Sequence, residues 1–168
     1  MRNDWPIFSI YFGRKIMEFN IENIESCHIV YVQNVGAYGS AENFQLMENF
    51  KKWIVSNKLE DKKNAKGIIA IAQDDPQTTL SAKCRYELLL FTDQDFSDDS
   101  YVKTGNFKGG KYAVFTITHT SEAIQLFWKN INATIDKNQL EVLASPILER
   151  YREEVGPDKT CEFLVPIK

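Results

Sequence analysis

The sequence predicts an α+β domain built from two similar halves. Three observations carry this. The element order β-α-β-β is read twice along the chain, each half holds one amphipathic helical segment, and the last two strand-like runs of each half are placed to pair as an antiparallel hairpin. With so few helices against so many strands, both helices are expected on one face of a mainly antiparallel sheet. The other face is then expected to form a concave groove between the halves.

The first strand is predicted at 26–35, "SCHIVYVQNV", which is rich in β-branched and aromatic residues. "GAYGS" turns the chain, with Gly36 and Gly39 as breakers and Ser40 placed to cap a helix. The helix over 41–57 carries Phe44, Met47, Phe50 and Ile54 on one stripe. A polar loop leads to a short buried strand at 67–73, "GIIAIAQ". "DDPQTT" is a turn, because Asp and Pro favour one there, and "KCRYELLLF" at 83–91 is the next strand. "TDQDFSDDS" at 92–100 reads as an acidic, exposed loop.

The second half repeats the order. A turn and strand at 109–119, "GGKYAVFTITH", precede a helix at 120–136. Its apolar set is Ile124, Phe127, Trp128, Ile131 and Ile135, and Trp128 reads as its clearest structural residue. "PILERY" at 146–151 and "CEFLVPIK" at 161–168 are strands around the turn "EEVGPDKT".

Composition excludes several functions. The chain has 168 residues, 43% of them hydrophobic and 26% charged, which suits one globular domain with a sizeable core. Net charge is −3, and the densest basic run, "KLEDKKNAK", is diluted by Glu60 and Asp61, so no basic face is expected for direct nucleic-acid binding. Cys27, Cys84 and Cys161 are far apart and odd in number, which fits reduced thiols in the cytoplasm. No stretch is apolar enough to span a membrane, and Asp4 and Pro6 break up the N-terminus as a signal peptide.

His28 and His119 lack partners at metal-ligand spacing, so both read as structural; no metal and no cofactor is expected. No nucleophile motif or phosphate-binding glycine loop is present. The awkward residue is Glu149. On an extended chain it shares a face with Ile147 and Tyr151, two residues that favour burial. Pattern alone leaves it a solvated strand residue, with Arg85, Lys103 or Arg150 as equal candidates to pair with it. Several aromatics, Tyr38, Tyr86, Tyr112 and Tyr151 among them, lie on strands or turns where they can wall an apolar slot.

These residues also carry a resemblance. "VYVQNVGAYGS" followed by a helix with Trp53 resembles the opening of the GyrI-like small-molecule-binding family, which includes gyrase-inhibitory proteins and the effector-binding domains of AraC-type and multidrug-responsive regulators. "DDP" and "KCRYE" are similar to its D-x-P … K-x-R-x-D/E signature, at Asp75, Pro76, Lys83, Arg85 and Glu87. "GGKYAVF", "PILERY" and "EFLVPIK" resemble three further motifs in the family's order. The resemblance covers about 22–168, with halves at about 22–95 and 105–168, and leaves 1–21 as an N-terminal extension. "THTSEA" departs from it, standing where the second half usually has G-x-Y, and Leu164 stands where many relatives have an aromatic.

The resemblance implies a pseudo-twofold domain with Glu149 in the groove between its halves. It implies a bacterial, stand-alone member without the DNA-binding domain of its regulatory relatives. The expected function is capture of amphipathic aromatic or cationic small molecules, for sensing or sequestration. Glu149 would supply charge, Tyr38, Tyr86 and Tyr112 the walls, and Glu162 a second acid at the rim. No catalytic residue is assigned. The enzymatic alternative is hydrolysis of strained-ring genotoxic compounds, with Glu149 as the acid–base group. A third reading is a protein partner, DNA gyrase, inhibited through the acidic loop.

Overall fold

A computed structural model describes residues 15–168; residues 1–14, the greater part of the expected N-terminal extension, lie outside the described residues. The first half comprises β1 (Asn20–Ile24), β2 (Cys27–Val35), α1 (Ala41–Ser56), α2 (Glu60–Lys66), β3 (Ile68–Ala72) and β4 (Arg85–Phe91). The second comprises β5 (Lys103–Phe107), β6 (Gly110–His119), α3 (Ser121–Asn138), β7 (Leu148–Tyr151) and β8 (Gly156–Ile167). The predicted β-α-β-β order is present twice, as β2-α1-β3-β4 and β6-α3-β7-β8.

All eight strands form one antiparallel sheet in the order β1-β6-β8-β7-β3-β4-β2-β5. The order is symmetric about the β7/β3 pair, so a pseudo-twofold axis passes between those strands. Ser40 caps α1 as the sequence suggests, and Thr120, expected as the first helical residue, caps α3. Ser40 Oγ accepts from the Asn43 N–H, and Thr120 Oγ1 accepts from the Ala123 N–H.

The two long helices, α1 and α3, lie on one face. Phe50, Trp53 and Ile54 of α1 pack on Val30, Val32, Ile68, Leu88 and Leu90. Phe127 and Ile131 of α3 pack on Phe115, Phe163 and Val165, with Phe127 stacked on Phe163 at 4.1 Å between ring centroids. Each fully buried side chain of this size contributes about 1.5–3 kcal/mol.

Among the described residues the groove expected on the opposite face is mostly filled, and what is left is a polar recess of about 430 Å³ beside Thr116, Arg150 and Glu162. The filling is the face's own apolar side chains, including Ile69, Leu89, Tyr112, Val114, Leu148 and Leu164. The cause is curl. In a flat sheet β1 and β2 would lie six strand spacings apart, about 29 Å. They are joined only by Glu25 and Ser26, and such a link reaches about 11 Å. The sheet therefore bends until its two ends approach, and its concave side closes on itself. Where the β1–β2 link passes the β5–β6 link, Gly109 has φ +79°, and a Cβ there would lie 2.5 Å from the Ile24 carbonyl oxygen. Only glycine fits that crossing.

Three local expectations also change. The polar stretch after α1 contains a helix, α2: Glu60 and Asp61 begin it, Lys63 and Lys66 end it, and Gly67 at φ +75° stops it. Without an apolar stripe it shows no helical periodicity. The edge strands β1 and β5 are five residues each and too short to read from pattern. Trp128 is 47% exposed, because Phe127 and Ile131 take the sheet-facing side of α3 and leave it at the margin.

Candidate functional site

A cavity of about 630 Å³ lies on the helix face, between α1 and α3 and over the pseudo-twofold axis. Its floor is built by alternation. On β7, Glu149 stands opposite Ala70 of β3, while Tyr151 stands opposite Ile68. On β4, Tyr86 stands opposite Ala72. The two alanines of β3 leave space above the centre of the sheet that larger residues would fill. Phe44 and Met47 of α1 form one wall, Ile124 of α3 and His119 at the end of β6 form the other, and the turn 152–155 closes one end.

Glu149 is half-buried on this floor and has no ion-pair partner among the described residues. The Tyr151 hydroxyl donates to its Oε2. Burial raises the Glu149 pKa, and the Tyr151 hydrogen bond and the nearby His119 offset this only in part. Burial, then the Glu149 charge, raises Tyr86 and Tyr151 well above the phenol range, so both hydroxyls stay protonated. The Cys161 thiol is pushed up to about 12, first by burial and then by Glu149, and stays an inert thiol. His119 stacks on Tyr151 with ring centroids 5.1 Å apart.

Of the residues singled out from sequence, Glu149, Tyr38 and Tyr86 meet in this cavity. The Tyr38 ring lines it, while its hydroxyl shares its one proton between the backbone carbonyls of Asp74 and Arg85 and accepts from the Asp74 N–H. Tyr112 and Glu162 do not join them. Tyr112 is buried in the apolar filling of the concave face. Glu162 lies on that face too, as partner of Arg150 and Arg152. Alternation along β6 and β8 places both on the side away from the helices. Leu164 is there as well, so its replacement of an aromatic does not alter the cavity.

None of the three cations considered for Glu149 reaches it. Arg85 forks onto Asp74, at 3.0 and 2.8 Å. Arg150 is held by Glu22 and Glu162. Lys103 lies on the edge strand β5 and forms no ion pair with Glu149. Sequence reasoning missed Phe44 and Met47 as cavity walls, because their helical stripe reads as core. It also read His119 as merely structural. Tyr151 was legible, since alternation places it on the Glu149 face.

The fold and cavity define a class: a two-half, curled-sheet domain with a cavity between its helices. Residues 17–168 match the GyrI-like small molecule binding domain, and the chain belongs to that family. The match begins at 17 rather than 22, and so includes all of β1. Over 152 residues the chain is 41% identical to a protein of Bacillus subtilis (strain 168) named "SPbeta prophage-derived putative transcriptional regulator YosT", covering 90% of this chain and 100% of that one. SAV2435 bound to tetraphenylphosphonium has a similar fold, with a TM-score of 0.57 at 18% identity over 90% of this chain and 94% of that one. The EcmrR C-terminal domain gives a TM-score of 0.63 at 8% identity, covering 92% and 99%. A hydrolase from Listeria innocua gives 0.59 at 10% identity, covering 94% and 95%. No helix among the described residues is long and apolar enough to cross a membrane.

Proposed function

We propose that this domain captures lipophilic aromatic cations in the cavity between α1 and α3, with Glu149 as the charge that selects them. The observation that carries this is a carboxylate on an otherwise aromatic and aliphatic floor with no cation of its own. An isolated buried carboxylate is costly. A delocalised cation stacked against Tyr86, Tyr38 and Phe44 repays that cost, where a neutral or anionic ligand cannot. Such binding serves sensing or sequestration. Support for a cationic ligand also comes from the similar fold of SAV2435 with tetraphenylphosphonium.

The hydrolytic reading uses the same pair. A protonated Glu149 held by Tyr151 is chemically able to protonate a leaving group. The gyrase reading gains less: in the loop 92–100, Asp95 accepts the Ser97 N–H, and Asp99 accepts the N–H groups of Tyr101 and Val102 and the Trp53 Nε1–H.

The deciding measurement compares tetraphenylphosphonium with its isosteric anion tetraphenylborate by thermal shift and calorimetry. The cation should stabilise wild type and fail to stabilise Glu149→Gln, and the anion should stabilise neither. Equal binding of both ions would remove Glu149 from recognition. Conversion of a strained-ring electrophile by wild type, absent in Glu149→Gln, would move the assignment to hydrolysis.

A further inference from the structure

The cavity contains a second recognition group. His119 Nδ1 lies 3.3 Å from the Glu153 carbonyl oxygen and 3.1 Å from that of Glu154. Both neighbours are acceptors only, so Nδ1 must carry the proton. In the neutral ring this fixes the tautomer and leaves Nε2 with a lone pair. Nε2 has no hydrogen-bond partner among the described residues, although the ring lines the cavity beside Tyr151. The pseudo-twofold counterpart is Tyr38, which clasps the β3–β4 connection through its hydroxyl and has no polar atom left for a ligand. The two halves therefore hold their hairpins alike, but only the second keeps an unspent acceptor.

Among the strand residues of the cavity the remaining polar groups agree; Lys51 and Lys63 of the helices and Arg152, Glu153 and Glu154 of the turn also bring charge to its lining. Glu149 Oε1 and the Tyr86 hydroxyl also lack protein partners among the described residues, while Glu149 Oε2 is taken by Tyr151. Two of these three free atoms only accept, and the third can do so. A cation without N–H groups would satisfy the charge but leave them unpaired. Resting on the binding reading above, we infer that the cavity is built for a hydrogen-bond-donating cation, an aryl-substituted ammonium or amidinium, and that His119 is the residue which distinguishes it from a quaternary one.

A matched pair of probes tests this. Dibenzylammonium and dibenzyldimethylammonium share two rings and one charge, but only the first has N–H donors. Wild type should bind the first about tenfold more tightly, the worth of one charge-assisted hydrogen bond. In His119→Phe, which keeps a ring on Tyr151, that ratio should fall several-fold with the quaternary affinity nearly unchanged. His119→Gln, which retains one donor and one acceptor, should restore part of it. In 15N spectra of wild type, assigned with a His28→Gln control, His119 should show the Nδ1–H tautomer, and its Nε2 signal should move with dibenzylammonium alone. A ratio near one in wild type, or a ratio that His119→Phe leaves intact, overturns the inference while capture of cations stands. Failure of both probes and of tetraphenylphosphonium to bind removes both.

Discussion

Glu149 and Arg150 are neighbours on β7 and face opposite sides of the sheet. Arg150 is spent: Glu22 and Glu162 each take it with two hydrogen bonds of 2.7–2.9 Å, and 4% of its side chain is exposed. Glu149 is unspent, with a tyrosine hydroxyl as its only protein partner among the described residues. One strand thus carries a charge that is tied into the fold and a charge that no protein cation answers among the described residues. A paired buried charge is a structural element. An unpaired one costs stability, and groups of that kind cluster at functional sites.

The largest effect should come from breaking the paired side. Arg150→Ala leaves two carboxylates facing each other and should cost about 3 kcal/mol in chemical denaturation. A loss under 1 kcal/mol would mean the cluster is decorative. Next, Ala72→Phe places a ring in the cavity. It should weaken tetraphenylphosphonium at least about tenfold, with stability within about 1 kcal/mol of wild type. Unchanged affinity would put the ligand elsewhere.

Glu149→Gln should raise the stability of the empty protein at neutral pH by about 1 kcal/mol. Its pH dependence has a definite sign. Because the folded pKa lies above the ordinary value of 4.5, the native state binds this proton more tightly than the unfolded chain, and that advantage is lost as pH rises through the folded value. The gap between the mutant and wild type should therefore widen from pH 4.5 upward. A constant gap would show that Glu149 is solvated. The smallest effect belongs to Asp74, lowered from 3.8 to about 2 mainly by its hydrogen bonds to Arg85. The contribution of this exposed pair is present above pH 3.8 and fades as pH falls through 2. Asp74→Asn should be slightly less stable than wild type at pH 7 and converge on it only below pH 2 by thermal melting.

Much of this fold was legible in the sequence. Periodicity found both long helices and the six strands of the repeated unit, because long amphipathic segments signal themselves. The alternation of Glu149 and Tyr151 showed that the two share a face. It could not show which face, because a period of two is the same viewed from either side. Tyr112 and Glu162 were misplaced for that reason, compounded by a curl that depends on the length of the β1–β2 link. His119 was read by type rather than by position, and no pattern announces two carbonyls from a turn 34 residues away. The short edge strands and the polar helix α2 bury too little to leave a trace.

The crossing at Gly109 has a further consequence. Each repeat unit begins with an edge strand, β1 or β5, and each lends that strand to the other unit's sheet. The chain has the form of a domain-swapped dimer whose two subunits have been joined end to end. A single unit expressed alone would lack its outer strand and carry an unpaired one. Two fragments cut in the 92–100 loop would complete each other only by exchanging arms, and the cavity between α1 and α3, which straddles their boundary, would exist only in the reassembled pair.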